Sequence, residues 1–301
     1  MSSTASGDTA LIGVDWGTSN LRVMRIDASG AVLESRSDPR GAASLTPDQF
    51  PDVLAAVAGA WIEQEAPVIV CGMAGARGRW LETAYAPCPA SLADLGAALV
   101  RPEGARNVAI IPGVAVFDEG GLSDVMRGEE TQAMGLFGPG EDGLVLAPGT
   151  HSKWIKIEDG RIAAFRTFVT GELFAAIKGA TVIGAGLGDA GRDEAAFLEG
   201  VRRSLADHAL TAALFSVRVQ RLSGRLSDGE AADYLSGLLI GAEIAAQSSL
   251  ARDARVVIVG APALAERYRL AMDAGGFTRI VVADGQAATA TGLWRIWSAA
   301  Q

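Results

Sequence analysis

The residues LIGVDWGTSNLRVMRI, Leu11 to Ile26, decide how the rest of the chain is read. An apolar run (Leu11, Ile12, Val14) delivers Asp15 to its end. Small residues, Gly17, Thr18, Ser19 and Asn20, then suit a tight turn before a second β-rich run from Leu21. Two short apolar runs joined by Gly, Ser and Asn predict a hairpin. Gly17 and its neighbours can aim successive backbone N–H groups into one concavity, the arrangement by which loops hold phosphate oxygens. Asp15 is placed to hold a hydrated Mg²⁺, which keeps most of its waters and takes one or two carboxylates. Taken alone, the stretch also reads as an ordinary hairpin with a solvated Asp.

The plan recurs downstream. LVLAPGTHSKWIKI, Leu144 to Ile157, again passes from an apolar run through a Gly-Thr turn (Gly149, Thr150, His151, Ser152) into a β-rich run. The first copy continues through Asp27 to Gly30 into Ala31 to Arg36, the second through Glu158 to Gly160 into Arg161 to Phe168. Each half is predicted to open with a meander whose first turn is Gly-Thr. A duplicated unit constrains a whole fold more than any single motif does. Two such turns facing each other across a cleft could grip one nucleotide from both sides.

The 301 residues suffice for one large domain or two modest ones, and 49% apolar with 20% charged is ordinary for a globular chain. A net charge of −9 argues against a nucleic-acid binder, which needs a basic stripe to neutralise phosphates. It leaves an anionic small substrate open, because a site needs only a few local Arg or Lys groups. Cys71 and Cys88 are too few for a disulfide framework and read as small, mostly buried thiols in a reducing compartment. Two histidines leave little room for a His-based metal centre. No apolar stretch reaches the ~18 residues of a membrane span. Residues 1–10 lack the pattern of a signal peptide and are expected to be a disordered tail. The expectation is a soluble, cytoplasmic protein.

Asp48 to Glu63 carries Phe50, Val53, Leu54, Val57 and Trp61 at helical spacing. Pro67 to Val70 and Val108 to Ile111 read as strands buried on both faces. Between them, Gly72 to Trp80 is too Gly-rich for core and is expected to line a site or to be a surface loop. A helix is predicted from Arg127 or Gly128, with Glu129 and Glu130 in its first turn. Their favourable place near the helix dipole explains both acids, and the functional alternative makes one of them a base for a hydroxyl proton. Gly138-Pro-Gly-Glu-Asp-Gly143 matches a dinucleotide fingerprint in letters only, since a helix is expected before it and a strand after it. Helices are predicted from Thr170, over Asp193 to Ala206, from Ser227 through an almost wholly apolar stretch, over Ala263 to Met272 and over Gln286 to Ser298. Strands are predicted at Val256 to Val259 and Arg279 to Val282. Gly260 and Ala261, between a strand and a helix, form either an ordinary turn or bare backbone for a flat ring. Together these elements predict an α/β fold with mixed sheets.

The order of these features resembles the actin/hexokinase/Hsp70 superfamily of ATP-binding folds. VDWGTSNLR, GMAG, DVMRGEETQ, APGTHSKW, FRTFVTGE, IGAGL, YLSGLLIGAE and GQAATATGL, in that order, are similar to the 2-dehydro-3-deoxygalactonokinase family of bacterial sugar-acid kinases. The resemblance implies two ribonuclease-H-like domains around an ATP cleft, and transfer of the ATP γ-phosphate to the 6-hydroxyl of 2-dehydro-3-deoxy-D-galactonate in galactonate breakdown. It implies ATP and Mg²⁺ as cofactors and a small sugar acid as partner, without nucleic acid or membrane, and is compatible with a homo-oligomer. The domains expected are 11–125 on the sugar-acid side, 126–143 as a connecting helix, 144–285 on the nucleotide side, and 286–301 as a helix returning to the junction.

In this frame Asp15 holds Mg²⁺, and Gly17, Thr18, Ser19, Asn20, Gly149, Thr150, His151 and Ser152 cradle phosphates. Glu130 is the preferred base, a one-residue shift naming Glu129, and Gly260 and Ala261 lie against the adenosine. Arg22, Arg127, Lys153 and Arg166 are candidate donors to the substrate carboxylate and keto oxygen, with Gly75 in the loop expected to close over the sugar acid. Ala147 stands where chaperone and actin relatives carry a second Asp, which weakens an ATPase-chaperone reading. The alternatives are a kinase of the C4 epimer, 2-dehydro-3-deoxy-D-gluconate, a phosphohydrolase of the exopolyphosphatase type, and a filament-forming actin relative.

Overall fold

The computed structural model describes residues 8–63, 66–105, 107–191, 193–247 and 249–301, so residues 1–7 of the expected tail lie outside the described residues. The fold is α/β with mixed sheets. β1 (Leu11–Trp16), β2 (Leu21–Ile26) and β3 (Val32–Asp38) form the first meander, antiparallel throughout, with Asp15 opposite Arg22. The expected Asp48 to Glu63 helix is broken. A 3-10 turn at Pro47–Gln49 leads into α1 (Phe50–Ala58), and Gly59 at φ +55 separates it from α2 (Ala60–Glu63). A distant residue seals the break: Arg36 Nη1, on β3, donates to the carbonyls of Val57 and Ala58 at 3.1 and 3.3 Å, satisfying acceptors left free where α1 ends.

β4 (Val68–Gly72) lies parallel to β1 and is buried at every residue. The Gly-rich segment after it, expected either to line a site or to be a surface loop, is packed at both ends. Ala74 and Gly75 are buried in a 3-10 turn, and the Trp80 ring packs 5.9 Å from both Trp16 and Phe50. Partial burial of that indole against the first core anchors the loop's far end. β5 (Tyr85–Pro87), α3 (Leu92–Ala97) and β6 (Val108–Ile110) follow, and β6 completes a five-stranded sheet of order β3-β2-β1-β4-β6. β7 (Gly113–Asp118) and β8 (Gly121–Met126) pair with β5 in a three-stranded sheet of order β5-β7-β8. No strand is expected at β5, β7 or β8, because β5 has only three residues and Gly113, Asp118, Gly121, Ser123 and Asp124 break up the apolar pattern of β7 and β8. α4 (Glu129–Leu136) opens at Gly128 as expected, and β9 (Gly143–Ala147) follows the 138–143 turn, so the fingerprint-like glycines have the wrong context.

β10 (Ser152–Glu158) and β11 (Arg161–Phe168) complete the second meander, and β12 (Val256–Val259) and β13 (Ile280–Ala283) complete a second five-stranded sheet, β11-β10-β9-β12-β13. The strand plan of the first sheet is repeated: a meander, then two strands, with β12 parallel to both β9 and β13. α5 (Thr170–Ala180), α6 (Glu194–Ala206), α7 (Leu210–Leu222), α8 (Asp228–Ala245) and α9 (Pro262–Ala274) are the helices of this half. All but α7 are expected. Ser227 and Glu230 close a capping box on α8, which is buried along most of its length.

Contacts divide the chain into two compact units, one reaching residue 142 and including 155–166 and 284–301, the other comprising 143–154 and 167–283. The grouping of 155–166 with the first unit differs from the expected boundaries. Ile162 exchanges backbone hydrogen bonds with Ala90 at 2.9 and 3.0 Å, which draws the outer part of the second meander to that unit. α10 (Gly285–Ala299) also belongs there, packed on α4. Cβ atoms added at Gly135 or Gly292 would come 1.9 Å from the backbone oxygens of Ala288 and Thr131, so the two helices touch through glycine. Cys71 is buried and Cys88 half-buried, both as free thiols. No described helix is long and apolar enough to cross a membrane.

Candidate active site

The first unit collects its chemistry where β1, β4 and α4 end or begin. Gly72 (φ +84) and Gly128 (φ +108) let backbones meet there. A Cβ on Gly72 would sit 2.6 Å from the Trp16 oxygen, and one on Gly128 would sit 3.5 Å from the Gly72 Cα. Asp15 is half-buried at the end of β1, with the Cys71 thiol 3.9 Å from Oδ1. Burial pushes its carboxyl up, against the opposing pull of Arg22 and the Cys71 thiol. The buried Cys71 thiol is itself pushed well above its ordinary range, first by burial and then by the charges of Asp15 and Glu130. That thiol therefore senses both carboxyls, and the sequence reading attaches no role to it.

The two neighbouring acids have different surroundings. Glu130 is 0% exposed, and it accepts the Gly128 N–H at 2.6 Å on Oε2 and the Thr131 hydroxyl at 3.0 Å on Oε1. Burial, and then the Glu129 charge, push it up to about 7. Glu129 is half-buried and accepts the Arg127 N–H at 3.2 Å. Arg127 donates from Nη1 to the Thr83 hydroxyl and from Nη2 to the Thr83 carbonyl, and stacks 4.5 Å above the Tyr85 ring. Gly75 backs this guanidinium closely, since a Cβ there would come 2.7 Å from Nη1. Thr83 carries no pattern by which the sequence reading could have found it.

Both Gly-Thr turns have carbonyls tied from outside. Ala42 N–H donates to the Gly17 carbonyl at 2.9 Å and Ala43 N–H to the Thr18 carbonyl at 3.0 Å, while Glu172 N–H donates to the Thr150 carbonyl at 2.9 Å. In a trans peptide C=O and N–H point oppositely. The amides of Thr18, Ser19 and His151 are therefore turned away from those anchoring segments, and Thr18, Ser19, Asn20, Thr150 and His151 are exposed. α5 packs directly on the second turn, where a Cβ on Gly171 would sit 2.3 Å from the Gly149 oxygen. His151 Nε2 lies 2.6 Å from Glu172 Oε2, both side chains being exposed. The Ser152 hydroxyl is buried and bonded to the Tyr268 hydroxyl at 2.7 Å, because Ser152 opens β10 with its side chain facing the core.

Beside this turn the second unit holds a cavity of about 310 Å³, lined among others by Gly149, Gly171, Phe174, Leu239, Leu264 and Tyr268. Its size and apolar lining suit a flat organic group. Gly260 and Ala261 are not among its lining residues; they lie just before the α9 residues that are, and a Cβ on Gly260 would meet the Pro148 oxygen at 3.2 Å. Lys153 is buried and donates to the Thr167 hydroxyl at 2.7 Å, and Arg166 is exposed on β11. Glu243 and Tyr268, which the sequence reading passes over, lie buried behind the turn. A carboxylate set directly after the apolar run Leu238 to Ala242 is the available signal for Glu243.

A model of the 2-keto-3-deoxy-galactonokinase family matches residues 15–296. The Rhizobium meliloti (strain 1021) protein named "Probable 2-dehydro-3-deoxygalactonokinase DgoK1" is 39% identical over 297 residues, which cover 93% of this chain and 96% of that protein. The 2-dehydro-3-deoxygalactonokinase of Escherichia coli (strain K12) is 35% identical over 277 residues, 92% of this chain and 94% of its own. The crystal structure of a Sinorhizobium meliloti protein classed with the same kinases superposes with a TM-score of 0.87 at 36% identity, covering 95% of this chain and 97% of that one. On a match that spans nearly its whole length, the chain belongs to the 2-keto-3-deoxy-galactonokinase family.

Proposed function

We propose that this enzyme transfers the γ-phosphoryl group of ATP to the 6-hydroxyl of 2-dehydro-3-deoxy-D-galactonate, giving the 6-phosphate and ADP. The observation that carries the reading beyond family membership is the repeated turn: two Gly-Thr corners whose carbonyls are drawn back, with amides facing the other way. Phosphoryl transfer asks for positioning and charge neutralisation more than covalent help. The amides of Thr18, Ser19 and His151 and the Thr18 and Thr150 hydroxyls are suited to phosphate oxygens, and the cavity beside Gly149 to the adenosine. Two ribonuclease-H-like domains serving one nucleotide belong to this proposal, supported by the repeated strand plan of the two sheets. Its division is 11–125 with the connecting helix and the C-terminal helix on the acceptor side, and 144–285 on the nucleotide side.

In the step itself the 6-hydroxyl oxygen forms a bond to the γ-phosphorus, the bond to the β–γ bridging oxygen breaks, and the hydroxyl proton leaves to a carboxylate. Access supports Glu129 for that proton, in place of Glu130. Glu129 is half-buried, whereas Glu130 has no exposed surface and both its oxygens are engaged. Asp15 fits a metal ion, being a partly desolvated carboxyl whose charge calls for compensation. It would hold Mg²⁺, which when bound neutralises phosphate charge. Arg127, its guanidinium set by Thr83 and Tyr85, is the best prepared donor for the substrate carboxylate. Arg22 instead opposes Asp15, and Lys153 is already engaged within the sheet. A soluble cytoplasmic enzyme fits this chemistry.

The test is ATP consumption, coupled to ADP detection, against a panel of 2-keto-3-deoxy aldonates that includes the C4 epimer. ADP formation dependent on the galactonate-derived acid is expected. Phosphate release at the same rate without any sugar acid would replace the kinase with a hydrolase.

A further inference from the structure

Glu243 lies on α8, is 2% exposed, and stands among apolar neighbours along the helix. A carboxyl cannot persist there without partners. Oε1 accepts from Trp154 Nε1 at 2.7 Å, and Oε2 accepts from the Tyr268 hydroxyl at 2.7 Å and from the Thr170 hydroxyl. The Ser152 and Tyr268 hydroxyls are bonded to each other at 2.7 Å. Burial pushes the Glu243 carboxyl up, while its hydrogen bonds with Thr170, Tyr268, Trp154 and Ser152 pull the other way.

The partners' addresses matter more than their number. Ser152 and Trp154 are the opening of β10, directly after Gly149-Thr150-His151. Thr170 begins α5, the helix whose next two residues pack on Gly149 and bond Thr150. Tyr268 comes from α9, and with Thr170 it lines the cavity of about 310 Å³. One buried carboxyl thus fastens the second turn, the start of α5 and the wall of the cavity to α8. Apolar packing would join the same elements without a desolvation cost. A fully bonded polar network instead fixes donors and backbone in one geometry.

We propose that Glu243 is a positioning residue for the nucleotide, setting the second Gly-Thr turn and the cavity wall through Ser152, Trp154, Thr170 and Tyr268 without touching substrate. The proposal rests on the reading that this turn and cavity receive ATP. Loosening the network then impairs ATP use and spares the sugar acid, whose proposed contacts stand on other elements.

Glu243→Gln and Tyr268→Phe in the full chain keep shape while removing acceptor or donor capacity. Steady-state kinetics with each substrate varied, calorimetric titration with ATP, and Tm are to be measured on each. KM and Kd for ATP are expected to rise about tenfold, with KM for the sugar acid within about twofold of the wild type. The double variant should lose less than the product of the single losses, since both act through one network. Unchanged ATP constants would overturn the proposal whatever the Tm, and a lowered Tm beside them would mark Glu243 as a structural stitch. Should Glu243→Gln not fold, Tyr268→Phe and Ser152→Ala decide by the same two outcomes. A wild-type chain that binds ATP but phosphorylates no sugar acid would sink the kinase reading alone, and the ATP titrations of the variants would still decide this one.

Discussion

Glu129 and Glu130 are adjacent in sequence and opposite in circumstance. One reaches solvent, and the other is sealed at 0% exposure with its carboxyl pushed up to about 7. Glu129→Gln is therefore expected to lower kcat by about two to four orders of magnitude with little change in ATP affinity, the usual worth of a general base. Steady-state kinetics check it, and a larger loss in Glu130→Gln would return the role to the buried residue. Glu130 also makes a stability prediction. Its folded value lies above the ordinary 4.5, so its stabilising contribution is fully present below pH 4.5 and is lost as the pH rises through about 7. The loss amounts to about 3 kcal/mol. Thermal melts across that window should show the wild type falling relative to Glu130→Gln, and parallel curves would refute the assignment. At Asp15, Asp15→Ala is expected to abolish Mg²⁺-dependent turnover without lowering Tm, since it removes a carboxyl that burial disfavours. A variant of unchanged rate would take Asp15 out of the site.

The elements were legible wherever local chemistry sets them. The two meanders announce themselves by apolar runs and Gly-Thr turns, α8 by its Ser227–Glu230 box, and α9 by Pro262 at its start. Two details lie outside those rules. The Arg36 guanidinium reaches from β3 to the carbonyls where α1 ends at Gly59, and Trp80 meets Trp16 and Phe50 at the far end of the Gly72 to Trp80 segment. Both contacts join residues remote in sequence. The α4–α10 crossing is of the same kind. Gly292→Ala places a methyl 1.9 Å from the Thr131 oxygen and must part the two helices. It is expected to cost about 2 kcal/mol, seen as a lowered midpoint in denaturant with unchanged slope. Wild-type stability in that variant would mean the crossing is looser than this contact requires.

For the molecule as a whole, the repeat is the larger fact. Two sheets share one strand plan, each opening with a Gly-Thr corner, and the chain ends by returning α10 to its first unit. A ligand that binds only the folded state stabilises it by mass action. ATP at about 100-fold over its Kd should add about 2.7 kcal/mol, read as a rise in Tm that depends on nucleotide concentration. A Tm indifferent to ATP would contradict a nucleotide site.

Alone, the sequence determined the duplicated meander, the glycine corners, most helix starts and the place of Asp15 at a strand end. These follow from short-range rules, such as strand alternation, turn chemistry and capping, that act over a few neighbouring residues. Only the tertiary structure decided which of two adjacent acids keeps exposed surface, that the Ser152 hydroxyl faces inward, and that Glu243 on α8 ties in β10, α5 and α9 behind the second turn. Those outcomes depend on burial and on partners distant in the chain, and desolvation is a property of the packed molecule, not of any local stretch.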